Sequence, residues 1–320
     1  MIRADYVDIG GNIKAVIRSW KNGTETLVSD GSKDCYPYAV FVSGNDLYVA
    51  GAEYDKRPPT EIKAKYWKNG VATSLTDGTH IAFANSIFVS GSDVYVAGQE
   101  FTSTGVAVKY WKNGIAVNLT NGSAIASASS VVVAGNDVYV AGKEYNGVNY
   151  VAKYWKNGIM TNLTDGSKDA DAHTIVVSGN DVYVSGKEYN GTKYVAKYWK
   201  NGTVVNLTDG TEDADAHDIL INGTDVYVAG EESNGINYVA RYWKNAVAVR
   251  LSSSDYHETF AYSIFVQGND IYVGGTDLLR NGPYGNVLKM QYWKNGHVES
   301  TINGTGLPGY PFKTSFFVTD

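Results

Sequence analysis

The sequence has too little cysteine and too few long apolar runs for several classes of protein. Cys35 is the only cysteine in the chain, so neither an internal disulfide nor a cysteine-based metal site can form. The longest apolar runs are too short for a membrane-spanning helix. The segment Met1–Asp5 leads straight into a predicted strand and lacks the apolar core of a signal peptide. We nevertheless expect a secreted or cell-surface protein, with the signal peptide missing from this sequence.

Charge is also sparse, and neither sign dominates any segment. The chain carries 27 basic and 33 acidic residues, which gives a net charge of −6 without acidic or basic blocks. Nucleic acids and anionic membranes attract basic patches. We therefore expect neither a nucleic-acid partner nor a membrane partner.

Signatures of catalysis are missing as well. Five histidines are scattered along the chain, and no G-x-S-x-G motif accompanies them. We expect a non-catalytic binding or scaffold protein without a cofactor, apart from the candidate metal site described below.

Tryptophan, in contrast, recurs at an almost constant interval. The residues are Trp20, Trp67, Trp111, Trp155, Trp199, Trp243 and Trp293, and their spacings are 47, 44, 44, 44, 44 and 50. Periods in the forties are typical of solenoids and propellers. Within the repeat at 129–172, turn residues separate four short runs rich in Val, Ile and Tyr. Four short antiparallel strands per repeat predict the blade of a β-propeller.

Seven repeats predict a monomeric, all-β, seven-bladed propeller that forms one domain over residues 1–320. The N-terminus begins in mid-repeat, with predicted strands at 5–9, 13–20 and 24–28. A lone apolar segment at 315–318 resembles a first strand. We therefore predict that residues 314–320 and 1–30 form one closing blade, which would remove exposed sheet edges.

The loops of the repeat predict where function is carried. The SGND and KNG turns hardly vary, whereas the loops at the opposite rim do, and variable loops on a rigid scaffold commonly carry function. Two of them, 54–61 and 278–287, are enlarged, which indicates either a protein-interaction platform or neutral drift. Aromatic rings beside carboxylates can also stack on sugars, so lectin-like glycan binding is a further hypothesis; the alternative is that they cap the blade edge. The candidate ligand-binding residues are Tyr54, Tyr145, Tyr189 and Tyr284.

One polar position per repeat precedes the first strand, and we expect these residues at the mouth of a central channel. They are Tyr38, Asn85, Ser129, His173, His217, Tyr262 and Thr314.

Two adjacent repeats add aspartates to this position, in the segments Asp169–His173 and Asp213–His217. Carboxylate oxygens and imidazole nitrogens bind divalent ions, and alternation in an extended segment puts its aspartates and histidine on one side. The alternative is that the histidines hydrogen-bond within the turn and the aspartates are solvated. The segments predict a binding site for a divalent metal such as calcium, or a hydrolytic site. Its candidate ligands are Asp171, His173, Asp215 and His217, with Asp165 and Asp209 as further oxygen donors.

Charged residues also recur at two fixed positions of the repeat. Glu53, Glu100, Glu144, Glu188, Glu232 and Asp277 end the second strands, and Arg18, Lys65, Lys109, Lys153, Lys197 and Arg241 precede the aromatic pair. Catalysis would not need the same carboxylate in every repeat. We therefore predict a repeated structural ion pair or hydrogen-bond network between strands or blades.

The motifs YWKNG, LTDG, SGNDVYVAG and EYNG make up one repeat. By these motifs the chain resembles seven-bladed β-propellers, and in detail it resembles YWKNG-repeat proteins of Bacteroidetes-type bacteria. The Trp-Asp pair of WD repeats and the Asp-box of sialidases are missing, and the kelch Gly-Gly pair occurs only at Gly10-Gly11 and Gly274-Gly275. The near-identity of the repeats at 129–216 indicates recent amplification or deliberate design, in which case no ligand was selected.

Overall fold

The computed structural model describes residues 2–9, 12–21, 24–55, 61–251, 257–282 and 285–303. Its regular structure consists of strands β1–β27. In these ranges no helix is long and apolar enough to cross a membrane. The chain divides into two compact units, here called unit 1 (residues 1–148 and 153–161) and unit 2 (residues 149–152 and 162–320).

Unit 1 begins with a three-stranded antiparallel sheet, followed by four-stranded antiparallel sheets. The three-stranded sheet contains β1 (Ile2–Ile9), β2 (Asn12–Lys21) and β3 (Thr24–Leu27). Blade 1 contains β4 (Asp34–Ser43), β5 (Asp46–Tyr54), β6 (Ile62–Lys68) and β7 (Val71–Ser74). Blade 2 contains β8 (Ala82–Ser90), β9 (Asp93–Phe101), β10 (Val106–Lys112) and β11 (Ile115–Asn118). Blade 3, inside which the division falls, contains β12 (Ala126–Ala134), β13 (Asp137–Tyr145), β14 (Tyr150–Lys156) and β15 (Ile159–Asn162).

Unit 2 continues with three further four-stranded antiparallel sheets. Blade 4 contains β16 (Ala170–Ser178), β17 (Asp181–Tyr189), β18 (Tyr194–Lys200) and β19 (Thr203–Asn206). Blade 5 contains β20 (Ala214–Asn222), β21 (Asp225–Ser233), β22 (Tyr238–Lys244) and β23 (Val247–Arg250). Blade 6 contains β24 (Glu258–Gln267), β25 (Asp270–Gly282), β26 (Gly285–Lys294) and β27 (His297–Asn303).

These consecutive four-stranded sheets are the blades of an all-β propeller, as predicted. The number of blades differs from the prediction, because the described residues form six complete blades rather than seven. The sheet that contains Trp20 has three strands, which match the N-terminal strands predicted from the sequence. The segment predicted to complete it, 314–320, lies outside the described residues, so the closure of a seventh blade stays a prediction.

A repeated polar network explains why the SGND and KNG turns hardly vary. In blade 3, Asn157 adopts a positive φ of 50°. Its Oδ1 accepts a hydrogen bond from the Val138 N–H at 2.9 Å, and its Nδ2 donates to Asp137 Oδ1 at 2.7 Å. Lys156 pairs with the same carboxylate at 2.8 Å and lies over the Tyr139 ring. The same five positions are connected in this way in each of the six described blades, so the motif holds the hairpins together.

The second strand of each blade contains a glycine at a position where no larger side chain would fit. Gly186 in β17 has no positive φ, but a Cβ there would overlap the carbonyl oxygen of Asp171 in the neighbouring strand. The equivalent glycines in the other blades are Gly51, Gly98, Gly142, Gly230 and Gly275. Close approach of the two backbones lets the first strand bulge directly after this carbonyl, and the bulge positions the candidate site.

The cores lie between successive blades within each unit. In unit 1 the Trp111 ring packs with Ala64, Leu75 and Ile87, which belong to blade 1 or begin blade 2. In unit 2 the Trp243 ring packs with Ala196 and Leu207 of the preceding blade. Both indoles are at most 1% exposed. Each blade therefore buries its apolar face only when its neighbour is present.

The predicted ion pairs form in five blades. Lys65 pairs with Glu53, and Lys109 with Glu100. Lys153 and Glu144 lie 2.7 Å apart, as do Lys197 and Glu188, and Arg241 lies 2.9 Å from Glu232. In blade 6 the pattern changes. Gln291 occupies the position of the lysine or arginine, and His257 Nδ1 instead lies 2.9 Å from Asp277 Oδ1. These pairs connect second and third strands and are mostly buried, in agreement with a structural role.

The two enlarged loops differ from one another. For 54–61, residues 56–60 lie outside the described residues. Much of 278–287 is not a loop, because β25 and β26 extend their pairing through Leu279 and Val287 to Gly282 and Gly285. The interpretation of 278–287 as an open loop was therefore wrong.

Candidate functional site

The polar positions expected at a channel mouth coincide with β-bulges. The register of each first strand shifts at Tyr38, Asn85, Ser129, His173, His217 and Tyr262, with Thr174 included in blade 4. A bulge leaves one residue unpaired and turns its side chain away from the normal alternation. Thr314, the remaining member of the predicted set, lies outside the described residues.

In unit 1 the bulge residues contact aromatic and amide groups. Asn85 Nδ2 donates to Gln99 Oε1 and to the Ala128 carbonyl, both at 2.8 Å. The Tyr38 ring lies 6.0 Å from Phe83, and its hydroxyl lies 3.4 Å from that of Tyr54. Burial, followed by the contact with Tyr54, raises the pKa of Tyr38. These groups therefore satisfy one another.

In unit 2 the bulges instead gather charged side chains from neighbouring blades. His173 Nε2 of blade 4 lies 2.9 Å from Asp215 Oδ1 of blade 5, and Lys187 Nζ lies 2.6 Å from Asp215 Oδ2. His217 Nε2 lies 3.0 Å from Oε1 and 2.8 Å from Oε2 of Glu231. The two imidazole rings are 5.4 Å apart. We call His173, Lys187, Asp215, His217 and Glu231 the charged cluster.

The charged cluster is partly open to solvent through its histidines. The side chains of His173 and His217 are 22% and 21% exposed, whereas those of Asp215 and Glu231 are 9% and 7% exposed. The carboxylates therefore form the floor of the site, and the imidazoles form its accessible edge.

Opposite charges offset the burial of Asp215. Burial raises the pKa of this carboxyl, but the charges of His173 and His217, the His173 hydrogen bond and Lys187 together hold it well below its usual range. Burial lowers the pKa of Lys187, and attraction to Asp215 more than compensates, so the pKa of the lysine is raised. Asp215 is thus the ionised centre of the cluster.

His217 and Glu231 form the second pair. Burial lowers the pKa of His217, but the negative charges of Glu231 and Asp215 reverse the effect and raise it. Burial raises the pKa of Glu231, although His217 opposes this shift. Glu231 Oε2 is buried and lies 2.8 Å from His217 Nε2, but the angle does not allow a hydrogen bond, and the imidazole bonds to Oε1 instead.

Asp218 lies beside the cluster but joins blades instead. Its Oδ2 accepts a hydrogen bond from the Ile264 N–H of blade 6 at 2.9 Å. Burial raises the pKa of Asp218 to about 6, although the N–H groups of Ile264 and Ile219 favour the ionised form. Ser86 Oγ accepts from the Val131 N–H at the equivalent position of unit 1, which supports a structural role.

Aromatic rings flank the charged cluster on two sides. On one side, the Tyr194 ring lies under Lys187 Nζ at 4.9 Å and contacts the Tyr189 ring at 5.3 Å. On the other side, the Tyr262 ring lies 5.2 Å from His217 and stacks on Phe260 at 6.0 Å. Phe260 also contacts Tyr238 at 5.7 Å. The site combines charged hydrogen-bonding groups with apolar ring faces.

Three of the four predicted metal ligands come together. His173, Asp215 and His217 each offer one ligand atom within 4.8 Å of the others. Asp171 is not in this group, because the bulge separates it from His173 and it pairs in register with Lys187 across the sheet. The structure thus joins His173 to the aspartate of the next blade rather than to the one in its own segment.

The other aspartates near the two segments have local roles. Asp165 Oδ1 accepts from the Ser167 N–H at 2.8 Å, and Asp209 Oδ1 accepts from Thr211 N–H at 2.9 Å. Asp169 and Asp213 accept from the N–H groups of Tyr150 and Tyr194. These aspartates fix turns and strand starts, and they lie outside the metal-ligating group.

The sequence analysis did not identify Lys187 and Glu231 as site residues. Both directly follow the second-strand glycine that faces the bulge. This position reads Ala52, Gln99, Lys143, Lys187, Glu231 and Thr276 along the chain. The residue at this position varies although the motif around it is nearly constant, and this variation was the sequence feature that indicated Lys187 and Glu231.

The candidate ligand-binding residues Tyr54, Tyr145 and Tyr189 lie at the ends of second strands and are only partly exposed. Tyr54 packs edge-on against Tyr36 at 4.9 Å, and Tyr189 packs against Tyr194. Tyr145 ends β13 in the equivalent position. Tyr284 lies outside the described residues. Of these tyrosines, Tyr189 is connected to the charged cluster through Tyr194 and Lys187.

Comparison with known proteins does not assign the chain to a family. No protein-family model matches the chain, and no curated protein matches it. The resemblance to YWKNG-repeat proteins of Bacteroidetes-type bacteria therefore has no support from these comparisons, and the function must be argued from the site.

Proposed function

We propose that the protein is a non-catalytic binding module that takes a polyhydroxylated ligand, such as a glycan, at the charged cluster of unit 2. A propeller provides a rigid platform for binding, although the fold alone does not specify a ligand. The observation that carries the proposal is the position of Asp215 and Glu231 between two groups of aromatic rings. Carboxylates accept hydrogen bonds from sugar hydroxyls, and ring faces pack against the apolar face of a sugar.

Binding fits this site better than catalysis. Asp215 faces both His173 and Lys187, and Glu231 faces His217, so the charges of the cluster largely neutralise one another. Such pairs orient polar groups toward a ligand. A protein-interaction platform at 54–61 and 278–287 has less support, since the second segment is largely an extended hairpin.

A glycan array tests the proposal. The protein, without any affinity tag, is applied to neutral and acidic oligosaccharides, and the best hit is titrated by calorimetry. We expect Tyr189→Ala to weaken binding about fivefold, because a lost ring contact costs about 1 kcal/mol. Tyr145→Ala is the matched control, because Tyr145 has the same place in blade 3 beside Lys143 rather than beside the charged cluster.

Two results would contradict the proposal. One is the absence of any bound sugar at millimolar concentration. The other is equal binding by the Tyr189→Ala and Tyr145→Ala variants, which would locate the site away from the charged cluster.

A further inference from the structure

Two histidines and two carboxylates meet in unit 2 in a way that sugar binding does not require. His173, Asp215 and His217 present ligand atoms within 4.8 Å of one another. Both imidazoles direct Nε2 toward a carboxylate, at 2.9 Å for Asp215 and 2.8 Å for Glu231. His173, Asp215 and His217 thus hold their coordinating atoms close together, and Glu231 is joined to this group through His217.

We propose that His173, Asp215 and His217 bind a divalent transition-metal ion of the zinc type, with Glu231 as the fourth ligand. The proposal deepens the binding function proposed above, because it concerns the same charged cluster. Imidazole nitrogens and carboxylate oxygens are the usual zinc ligands where thiolate is absent. Calcium fits less well, since it prefers six to eight oxygen ligands.

An independent observation supports Glu231 as the fourth ligand. Its Oε2 receives no hydrogen bond of acceptable geometry, although His217 Nε2 lies 2.8 Å away, and the residue is only 5% exposed. A buried carboxylate oxygen without a donor costs free energy unless a cation or donor reaches it. Since Oε2 lies 2.8 Å from His217 Nε2, an ion bound to that nitrogen is also within reach of Oε2.

The distances require only a small rearrangement. Ligand atoms about 2.1 Å from a tetrahedral zinc ion are about 3.4 Å from one another. The two imidazole–carboxylate pairs, at 2.9 Å and 2.8 Å, would separate slightly as the ion enters between them. The remaining distances within the group, up to 4.8 Å, would shorten. Histidine rings that are 22% and 21% exposed can make such movements.

Charge also favours a divalent ion. Asp171, Asp215 and Glu231 contribute three negative charges near Lys187, which contributes one positive charge. With neutral imidazoles, as metal binding requires, two negative charges remain, and a divalent cation balances them. Lys187 holds Asp215 through Oδ2 at 2.6 Å, which leaves Oδ1 for the metal and fixes the orientation of the carboxylate.

The experiment measures zinc binding in the absence of any glycan. The full chain, with its affinity tag removed, is treated with a chelator, dialysed, and titrated with zinc chloride by calorimetry. Bound metal is counted by elemental analysis after desalting. We expect one zinc ion per chain, and at least tenfold weaker binding for His217→Gln and for Asp215→Asn.

His257→Gln is the matched control. His257 Nδ1 lies 2.9 Å from Asp277 Oδ1, with similar exposure, but no second histidine is part of that pair. We expect this variant to bind zinc like the parent chain. Equal zinc affinity of His217→Gln and the parent would overturn the proposal, as would the same loss of affinity in His257→Gln.

Cobalt provides a readout that needs no variant. Tetrahedral Co²⁺ absorbs visible light strongly, so the parent chain should become coloured as one equivalent is added, and zinc should remove the colour. Failure of the parent chain to bind either ion stoichiometrically would overturn the metal site. Sugar binding that persists in chelator-treated protein would then support the proposed function without the metal site. Zinc binding by a protein that binds no sugar would support the metal site and contradict the proposed function.

Discussion

Single residues decide the geometry of the first strand. Gly186 matters because its Cα lies against the Asp171 carbonyl, which precedes the bulge that carries His173. Glycine is therefore required at this position because two backbones approach closely there, and not because of an unusual φ. Gly179 differs, since it has a φ of +60° and open space around it.

Gly186→Ala should destabilise the protein by about 3 kcal/mol, because a methyl group would overlap the Asp171 carbonyl oxygen and crowd the Trp199 ring. Gly179→Ala should cost about 1 kcal/mol, since it strains only a left-handed backbone. Chemical denaturation followed by tryptophan fluorescence measures both free energies of unfolding. If both variants lost the same free energy of unfolding, the Gly186 and Asp171 backbones would not be packed closely enough to exclude a methyl group.

Lys153 tests the repeated ion pair. Lys153→Met should lower the free energy of unfolding by about 2 kcal/mol, because it leaves Glu144 partly buried without its cation. The cost stays below that of a fully buried pair, since the Glu144 side chain is 23% exposed. Adding Glu144→Gln should recover part of the loss.

Lys156→Met is the control in the same blade. Lys156 pairs with Asp137 at the surface, where its side chain is 47% exposed, so Lys156→Met should cost much less stability than Lys153→Met. If Lys153→Met and Lys156→Met cost the same, burial of the Lys153 pair has no energetic consequence.

At the level of the hairpin, one carboxylate connects the start of the second strand with the end of the third strand and the turn that follows it. Asp181 Oδ1 accepts from Asn201 Nδ2 at 2.7 Å, and Asp181 Oδ2 pairs with Lys200 at 2.8 Å. The hydrogen bond from Lys200, then that from Asn201, lowers the pKa of Asp181. The equivalent residues Asp46, Asp93, Asp137, Asp225 and Asp270 are shifted in the same direction.

These lowered pKa values predict acid lability. A carboxyl group whose pKa is lower in the folded state stabilises the fold above its unfolded pKa, and this contribution disappears as the pH falls through the folded pKa. We expect Asp181→Asn to lower the Tm at pH 7 and to lose this effect as the pH falls through the lowered pKa of the parent carboxyl. Thermal denaturation of both proteins from pH 7 down to acid pH, below the ordinary pKa of an aspartate, gives the comparison. A difference in Tm that is the same at both ends of this range would rule out the pairing.

At the level of the whole chain, near-identical blades in both units make equivalent substitutions comparable. Trp155 in unit 1 and Trp199 in unit 2 are each 1% exposed. Each lies in a corresponding core, Trp155 with Ala126 and Val140 and Trp199 beneath the β17 glycine. In a repeat protein, stability is roughly a sum of repeat and neighbour contributions.

We therefore expect Trp155→Phe and Trp199→Phe to cost about 2 kcal/mol each, within about 0.5 kcal/mol of one another. Urea denaturation followed by circular dichroism measures the two losses. A discrepancy above about 1.5 kcal/mol would mean that the repeated sequence does not produce equivalent environments.

The local features of the fold could be predicted from the sequence, because they depend on residues close together in the chain. The tryptophan period, the β-rich runs and the Asn-Gly turns predicted four-stranded blades, and the ion pair of Lys153 with Glu144 followed from its recurrence. The blade count was overestimated, because Trp20 marks a repeat whose described sheet has three strands.

Only tertiary structure decided how the candidate site is assembled. The sequence placed Asp171 beside His173, whereas the bulge separates them and brings Asp215, 42 residues away, to the imidazole. Glu231 and Lys187 enter from second strands, since strand pairing and blade packing determine which side chains meet across the bulges. The composition of a blade is a local property, but a cluster drawn from neighbouring blades depends on how those blades pack.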